Sequence, residues 1–75
     1  MYNIVFFEGR LGREHLLCVQ NSEIVPHKGD IVGLREECWE VIHTVIDYET
    51  EAIENGKNYK ISVFLKRYVW PDEEL

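Results

Sequence analysis

Five side chains of the types that bind zinc occur in the chain, namely His15, Cys18, His27, Cys38 and His43. Only His15 and Cys18 form a close pair, whereas a structural zinc site usually combines two short spacings that lie in turns. These residues therefore do not form a zinc motif. We expect no metal site and no cofactor.

Groups able to catalyse a reaction are equally sparse. Neither of the two serines, Ser22 and Ser62, lies in the glycine-rich elbow that exposes a nucleophilic hydroxyl. No glycine loop precedes a helix in the arrangement that holds phosphate. The sequence predicts no catalytic residue, and we expect that the protein is not an enzyme.

The elements that carry these residues belong to one small domain, residues 1–75, of which 45% are apolar. Two cysteines are too few for the disulfide scaffold of a secreted mini-protein, so we expect Cys18 and Cys38 to be reduced and buried. The first residues lack the basic region of a signal peptide, and no apolar run is long enough to cross a membrane. We expect a cytoplasmic protein without membrane contact.

Short runs of β-branched and aromatic residues, separated by turn residues, predict an all-β fold. Gly9 to Gly12 and Lys28-Gly29-Asp30 read as turns, and the first two runs as a hairpin. Pro71 ends the last run. The architecture most consistent with this pattern is a small five-stranded SH3-like barrel. The predicted strands are residues 2–8, 14–20, 31–35, 38–48 and 59–70.

The fourth and fifth predicted strands are joined through Asn55-Gly56, a dipeptide typical of two-residue hairpins. Such a turn places Glu51 opposite Lys60, a favourable cross-strand ion pair. The same register sets Val41, His43 and Val45 opposite Trp70, Tyr68 and Lys66. The alternative is a short helix over residues 49–54 that ends before Gly56.

This ribbon has apolar residues on both faces, and both must be covered. A bulge that exchanges the faces is one explanation. The other is an exposed aromatic surface closed by a second copy or by a protein partner. Residues 2–8 show the same doubly apolar pattern, which favours an oligomer. The candidate interaction surface consists of Val41, His43, Phe64, Lys66, Tyr68 and Trp70.

Acidic residues outnumber basic ones by 14 to eight, for a net charge of −6, which disfavours binding to nucleic acid. The excess is concentrated in residues 36–56, where there is no Lys or Arg. This stretch is either a solvated face that keeps the protein soluble or a contact for a basic partner. The candidate acidic surface consists of Glu40, Asp47, Glu49, Glu51 and Glu54.

Three short motifs resemble small SH3-like barrel proteins encoded by bacteria and their phages. They are Pro26-x-x-Gly29-Asp30-x-Val32, Trp39-x-Val41 and Ile61-x-Val63-x-Leu65. Lys28 to Val32 also looks like the strand-opening box of signal-peptidase and repressor-type serine peptidases. The serine nucleophile and lysine base of those enzymes have no counterpart here, so we interpret the box as turn chemistry, in which glycine relieves the turn and aspartate caps it.

These observations favour a non-enzymatic protein-interaction module, a homodimer or a binder of another protein, with a phage or mobile-element origin and a host target by analogy. One alternative is a small barrel that binds nucleic acid through Lys60, Lys66 and Arg67 beside aromatic residues. Another is an acidic mimic of nucleic acid that competes for a basic enzyme.

Overall fold

The computed structural model describes residues 1–48 and 59–70, and this part of the chain is all-β, as predicted. Each strand begins within one residue of its predicted start, and β5 ends three residues before Trp70. The strands are β1 (Tyr2–Glu8), β2 (His15–Ser22), β3 (Ile31–Leu34), β4 (Glu37–Tyr48) and β5 (Tyr59–Arg67).

The five strands form one mixed sheet in the order β2-β1-β5-β4-β3, curled into a half-barrel. The β1–β2 pair is an antiparallel hairpin, as predicted, and β4 pairs antiparallel with both β3 and β5. At the centre of the sheet, β5 pairs in parallel with β1. This order leaves β2 and β3 as the two edge strands.

The inner face of the curled sheet carries the hydrophobic core. Because side chains alternate along a strand, the odd-numbered residues of β5 and the even-numbered residues Ile4 and Phe6 of β1 point inward. Burial of such side chains contributes about 1.5 to 3 kcal/mol each and is the main stabilising term of the fold. The buried cluster consists of Ile4, Phe6, Trp39, Val41, Ile61, Val63 and Leu65.

A β-bulge interrupts the β4–β5 pairing between Val41 and His43, so that Ile42 is the extra residue. Odd-numbered residues of β4 face inward before the bulge, whereas even-numbered residues such as Thr44 do so after it. The Thr44 hydroxyl donates a hydrogen bond of 2.7 Å to the carbonyl of Pro26, which ties the β2–β3 connection to the inner face. The bulge therefore turns His43 to the outer face.

The observed β4–β5 register corrects the predicted one. Lys60 lies opposite Asp47 instead of Glu51, an offset of four positions. The predicted oppositions of Val41, His43 and Val45 were therefore wrong: they face Leu65, Phe64 and Ser62. In the observed register Val41 and Thr44 lie opposite Leu65 and Val63, so the inward side chains of both strands share one face. That dipeptide, Glu51 and the alternative helix over 49–54 lie outside the described residues.

Two residues with positive φ form the β3–β4 turn, Arg35 at 54° and Glu36 at 65°. Positive φ at both central positions is the conformation of a type I′ hairpin turn, which is strained for residues other than glycine or asparagine. The Arg35 guanidinium donates a hydrogen bond of 2.7 Å to the carbonyl of Leu17. Leu17 is the extra residue of a second bulge, in β2, so Arg35 links the two edges of the half-barrel.

Candidate functional site

The outer face of the sheet carries an apolar surface that spans four strands. Because paired residues share a face, the strand registers define two rows that cross β2, β1, β5 and β4. The first row is Leu16, Phe7, Phe64 and His43, and the second is Val19, Val5, Ser62 and Val45. We call the seven residues other than Ser62 the outer band.

Phe64 lies at the centre of the outer band and is only 2% exposed. Its ring stacks on that of Phe7, with the centroids 5.1 Å apart and the planes at 15°. On its other side the His43 ring lies 4.8 Å away, tilted by 48°. Phe7, Phe64 and His43 thereby form a second cluster on the outer face, centred on the buried Phe64 ring and separate from the inner core.

The His43 side chain is half-buried in this cluster, and its Nε2 atom is buried without a hydrogen-bond partner in the part of the chain that the structure describes. A buried polar atom without a partner costs free energy, so it marks a place where packing has been favoured over solvation. We assign His43 a structural contact with Phe64.

The outer band becomes exposed toward the β2 edge. Leu16 is 63% exposed and Val19 is 53% exposed, whereas Val5 and Phe7 on the neighbouring strand are half-buried. The sequence of β2 from His15 to Ser22 contains no Lys, Arg, Asp, Glu or Pro. These are the residues by which natural edge strands discourage pairing with another chain. The β2 edge therefore exposes two aliphatic side chains and has no charged residue or proline of its own, and its protection is limited to the bulge at Leu17 and the Arg35 hydrogen bond to the Leu17 carbonyl.

The structure separates the residues of the predicted interaction surface. Val41 is 1% exposed and lies in the inner core, so its placement on the outer surface was wrong. Phe64 and His43 belong to the outer band, where Phe64 is buried. The predicted bulge is present, yet it lies in β4 and leaves Phe64 outside the core cluster. His43 and Phe64 do share the outer face, but the Phe64 ring is buried there and is not an exposed aromatic group.

Tyr68 and Trp70 form a distinct pair beyond the end of β5. Their rings meet edge to face at 4.9 Å, and the Tyr68 amide donates a hydrogen bond of 3.0 Å to the Cys38 carbonyl. Trp70 is 55% exposed. Lys66 separates this pair from Phe64 along the outer face of β5. The aromatic pair and the outer band are therefore two separate surface features.

A depression of about 360 Å³ opens beside the outer band. It is bounded by the β1–β2 turn, by the turn before β3 and by β4 and β5. Its charged and titratable lining residues are Arg10, Lys28, Glu40, His43 and Lys66. Arg10 and Lys28 were not among the predicted site residues, although each adjoins a glycine in a predicted turn.

The turn that carries Lys28 has the chemistry predicted for it. Gly29 has a φ of 91°, and the Asp30 amide donates a hydrogen bond of 2.9 Å to the His27 carbonyl, as in a type II turn. The Asp30 carboxylate accepts a hydrogen bond of 2.9 Å from the His27 amide. Glycine relieves this turn and aspartate caps it.

The predicted acidic surface is only partly within the described residues. Glu40 is half-buried on β4, with its carboxylate 3.9 Å from the Lys66 ammonium group. Asp47 is exposed opposite Lys60. Glu49, Glu51 and Glu54 lie outside the described residues. Glu40 and Asp47 therefore each face a lysine on β5.

Other candidate groups have structural surroundings. The Ser22 hydroxyl donates a hydrogen bond of 2.7 Å to the Ile24 carbonyl, in a local turn. Cys18 and Cys38 are free thiols, but the prediction that they are buried was wrong: both are half-buried, Cys18 on the edge strand β2 and Cys38 near the start of β4. Within residues 1–48 and 59–70, no group of three or more His, Cys, Asp or Glu side chains is placed to hold a metal ion. The same ranges contain no helix that could span a membrane.

Comparison with known proteins adds no relative to this description. No protein-family model, no curated protein and no solved structure matches the chain.

Proposed function

We propose that this chain is a non-enzymatic protein-interaction module that associates with a second copy of itself through the β2 edge and the outer band. The observation that carries the proposal is the exposure of Leu16 and Val19 on an edge strand without charged residues. An exposed apolar edge strand offers unpaired backbone groups together with apolar side chains, which are the two components of strand-to-strand association.

A second copy fits this edge because antiparallel pairing of β2 with its own copy obeys two-fold symmetry. Such a contact is isologous, so each exposed apolar residue meets the same surface on the partner. It extends the sheet and continues the outer band across the junction. Leu16 and Val19, the exposed members of the band, become its centre.

Charge supports a contact at β2 over one elsewhere. Two copies that each carry −6 repel one another, and that repulsion is weaker at a strand with no acidic residue of its own, where the nearby charge is the Arg35 guanidinium on the Leu17 carbonyl. Added salt screens the repulsion, with a Debye length of about 8 Å at physiological ionic strength. We therefore expect self-association to strengthen as salt is added. Binding of a basic partner by the acidic stretch would instead weaken as salt is added, because the attraction between opposite charges is screened.

The module is proposed to act in the cytoplasm on a host protein, in keeping with its resemblance to small SH3-like proteins of bacteria and phages. The net charge weighs against the nucleic-acid alternative. The acidic-mimic alternative predicts a contact through Glu49, Glu51 and Glu54 instead of β2. Neutralising those three residues together separates the two proposals.

The test is the molar mass in solution, measured by light scattering behind size exclusion over a range of concentration and salt. We expect a dimer for the wild type and a monomer for Leu16→Lys. Ile24→Lys is the matched control, because Ile24 is also an exposed aliphatic residue but lies outside β2. A wild-type monomer at all concentrations, or equal dissociation by both variants, would contradict the proposal.

A further inference from the structure

The depression beside the outer band concentrates positive charge in an acidic protein. Three of the seven Lys and Arg residues in the described part of the chain, Arg10, Lys28 and Lys66, line it. Its volume of about 360 Å³ lies in the range of small-molecule sites. The charge of this lining is therefore opposite in sign to the net charge of the protein, which is −6.

Backbone hydrogen bonds hold in place the two turns that carry Arg10 and Lys28. The Gly9 amide donates to the Leu65 carbonyl at 2.9 Å, which brings Arg10 beside Lys66. The Gly29 amide donates to the Val41 carbonyl at 3.0 Å, which brings Lys28 beside the bulge at Ile42. The two glycine turns thus fix the backbone from which Arg10 and Lys28 extend, so that both residues line one space.

The cations are only lightly compensated. The Lys66–Glu40 contact is long, at 3.9 Å, and within residues 1–48 and 59–70 neither Arg10 nor Lys28 forms an ion pair. Among the described residues that line the depression, three cations and the Glu40 carboxylate sum to a formal charge of +2, and the nearby Asp30 carboxylate is engaged with the His27 amide. The lining therefore presents a net attraction to anions.

A phosphomonoester carries about −1.5 to −2 charges at neutral pH and three acceptor oxygens, which match this lining in charge and in number of cationic donors. A carboxylate, with one charge, would leave part of the lining uncompensated. We propose that the depression is a binding site for a phosphomonoester group, held by Arg10, Lys28 and Lys66. This site does not depend on the self-association proposed above.

The test is an NMR titration of the ¹⁵N-labelled protein with inorganic phosphate at constant ionic strength. We expect saturable shifts of the amide signals of Arg10, Gly29 and Lys66. Lys28→Gln should raise the dissociation constant about tenfold, since a charge-assisted hydrogen bond is lost. Shifts that stay linear and are spread over the surface would overturn the proposal.

Two variants keep the test independent of folding. Lys60→Gln also removes one lysine charge, but Lys60 lies at the end of β5 away from Lys66. We expect this variant to change the dissociation constant by less than about twofold. Glu40→Gln removes the acid that lines the depression in the described part of the chain and should tighten binding about threefold, a gain that misfolding cannot produce. Equal weakening by Lys28→Gln and Lys60→Gln, or no tightening by Glu40→Gln, would refute the site.

The source of the phosphate group is resolved by two further titrants, glycerol phosphate and a short phosphoserine peptide. Tighter binding of glycerol phosphate identifies a small phosphorylated compound, and tighter binding of the peptide identifies a phosphorylated protein. If neither binds more tightly than its unphosphorylated form, the assignment of a phosphomonoester is wrong.

Discussion

The ring of Phe64 stacks on the ring of Phe7 at 5.1 Å across the parallel pair formed by β5 and β1. Both residues lie on the outer face of a sheet whose core is on the inner face. Offset stacking between aromatic rings contributes about 0.5 to 1.5 kcal/mol beyond the burial of area. The contact therefore supports a parallel pairing between two strands that are far apart in the chain.

Replacing Phe64 with alanine should destabilise the fold by about 3 kcal/mol, because it empties a site that is 2% exposed. The free energy of unfolding from urea titration measures the effect. Phe64→Leu keeps most of the volume and should cost about 1 kcal/mol, which keeps the prediction testable if the alanine variant does not fold. Trp70→Ala is the control, and an equal loss there would contradict the assigned burial.

Replacing Glu36 with glycine should stabilise the protein by up to about 1 kcal/mol, since Glu36 has a φ of 65° in the β3–β4 turn. Glu37→Gly is the comparison: Glu37 is a β4 residue whose carboxylate lies 3.1 Å from Arg67, and the change should destabilise. Thermal unfolding followed by circular dichroism measures both. A lower melting temperature for Glu36→Gly would show that its backbone strain is not as described.

Arg35→Gln should reduce stability by about 1 kcal/mol, because the hydrogen bond from its guanidinium to the Leu17 carbonyl is lost. Arg13→Gln removes the same charge from the exposed β1–β2 turn and should have little effect. Hydrogen exchange of the β2 amides adds a local readout, since release of the edge should speed exchange there. Unchanged exchange in Arg35→Gln would argue against the link between the two edges.

Gly9→Ala should cost more than Gly12→Ala, although both glycines have positive φ, 106° and 97°. A Cβ at position 9 would lie 2.9 Å from the Arg13 carbonyl oxygen, whereas nothing lies within 4 Å of one at position 12. Backbone strain alone costs about 1 to 2 kcal/mol at either position. Urea titration of the two variants compares them, and equal losses would mean that the clash is relieved at no cost.

The strands could be predicted from the sequence because each is a short run that contains apolar residues, mostly β-branched or aromatic outside β2, between turn residues. The inward row of Ile61, Val63 and Leu65 followed from simple alternation. The β4–β5 register could not be predicted. A two-residue turn at Asn55-Gly56 predicts one register, whereas the observed pairing differs from it by four positions. The parallel β1–β5 pairing carries no local signal either, since the two strands are far apart in the chain.

The candidate site was predictable only in part. The doubly apolar pattern of residues 2–8 and of the fifth strand anticipated an outer apolar surface, which Val5, Phe7 and Phe64 provide. Leu16 and Val19 were missed because an edge strand is recognised from sheet order, which the sequence did not yield. Val41 was assigned to the wrong face, since the bulge at Ile42 changes which residues of β4 point inward.

The most direct test of self-association through β2 is an isotope-filtered NOE experiment on a mixture of labelled and unlabelled protein at high concentration. Contact through the β2 edge predicts intermolecular NOEs from the methyl groups of Leu16 and Val19 to residues of β2 in the second copy. If such NOEs are absent, or if they arise only at Tyr68 and Trp70, the contact proposed here is wrong.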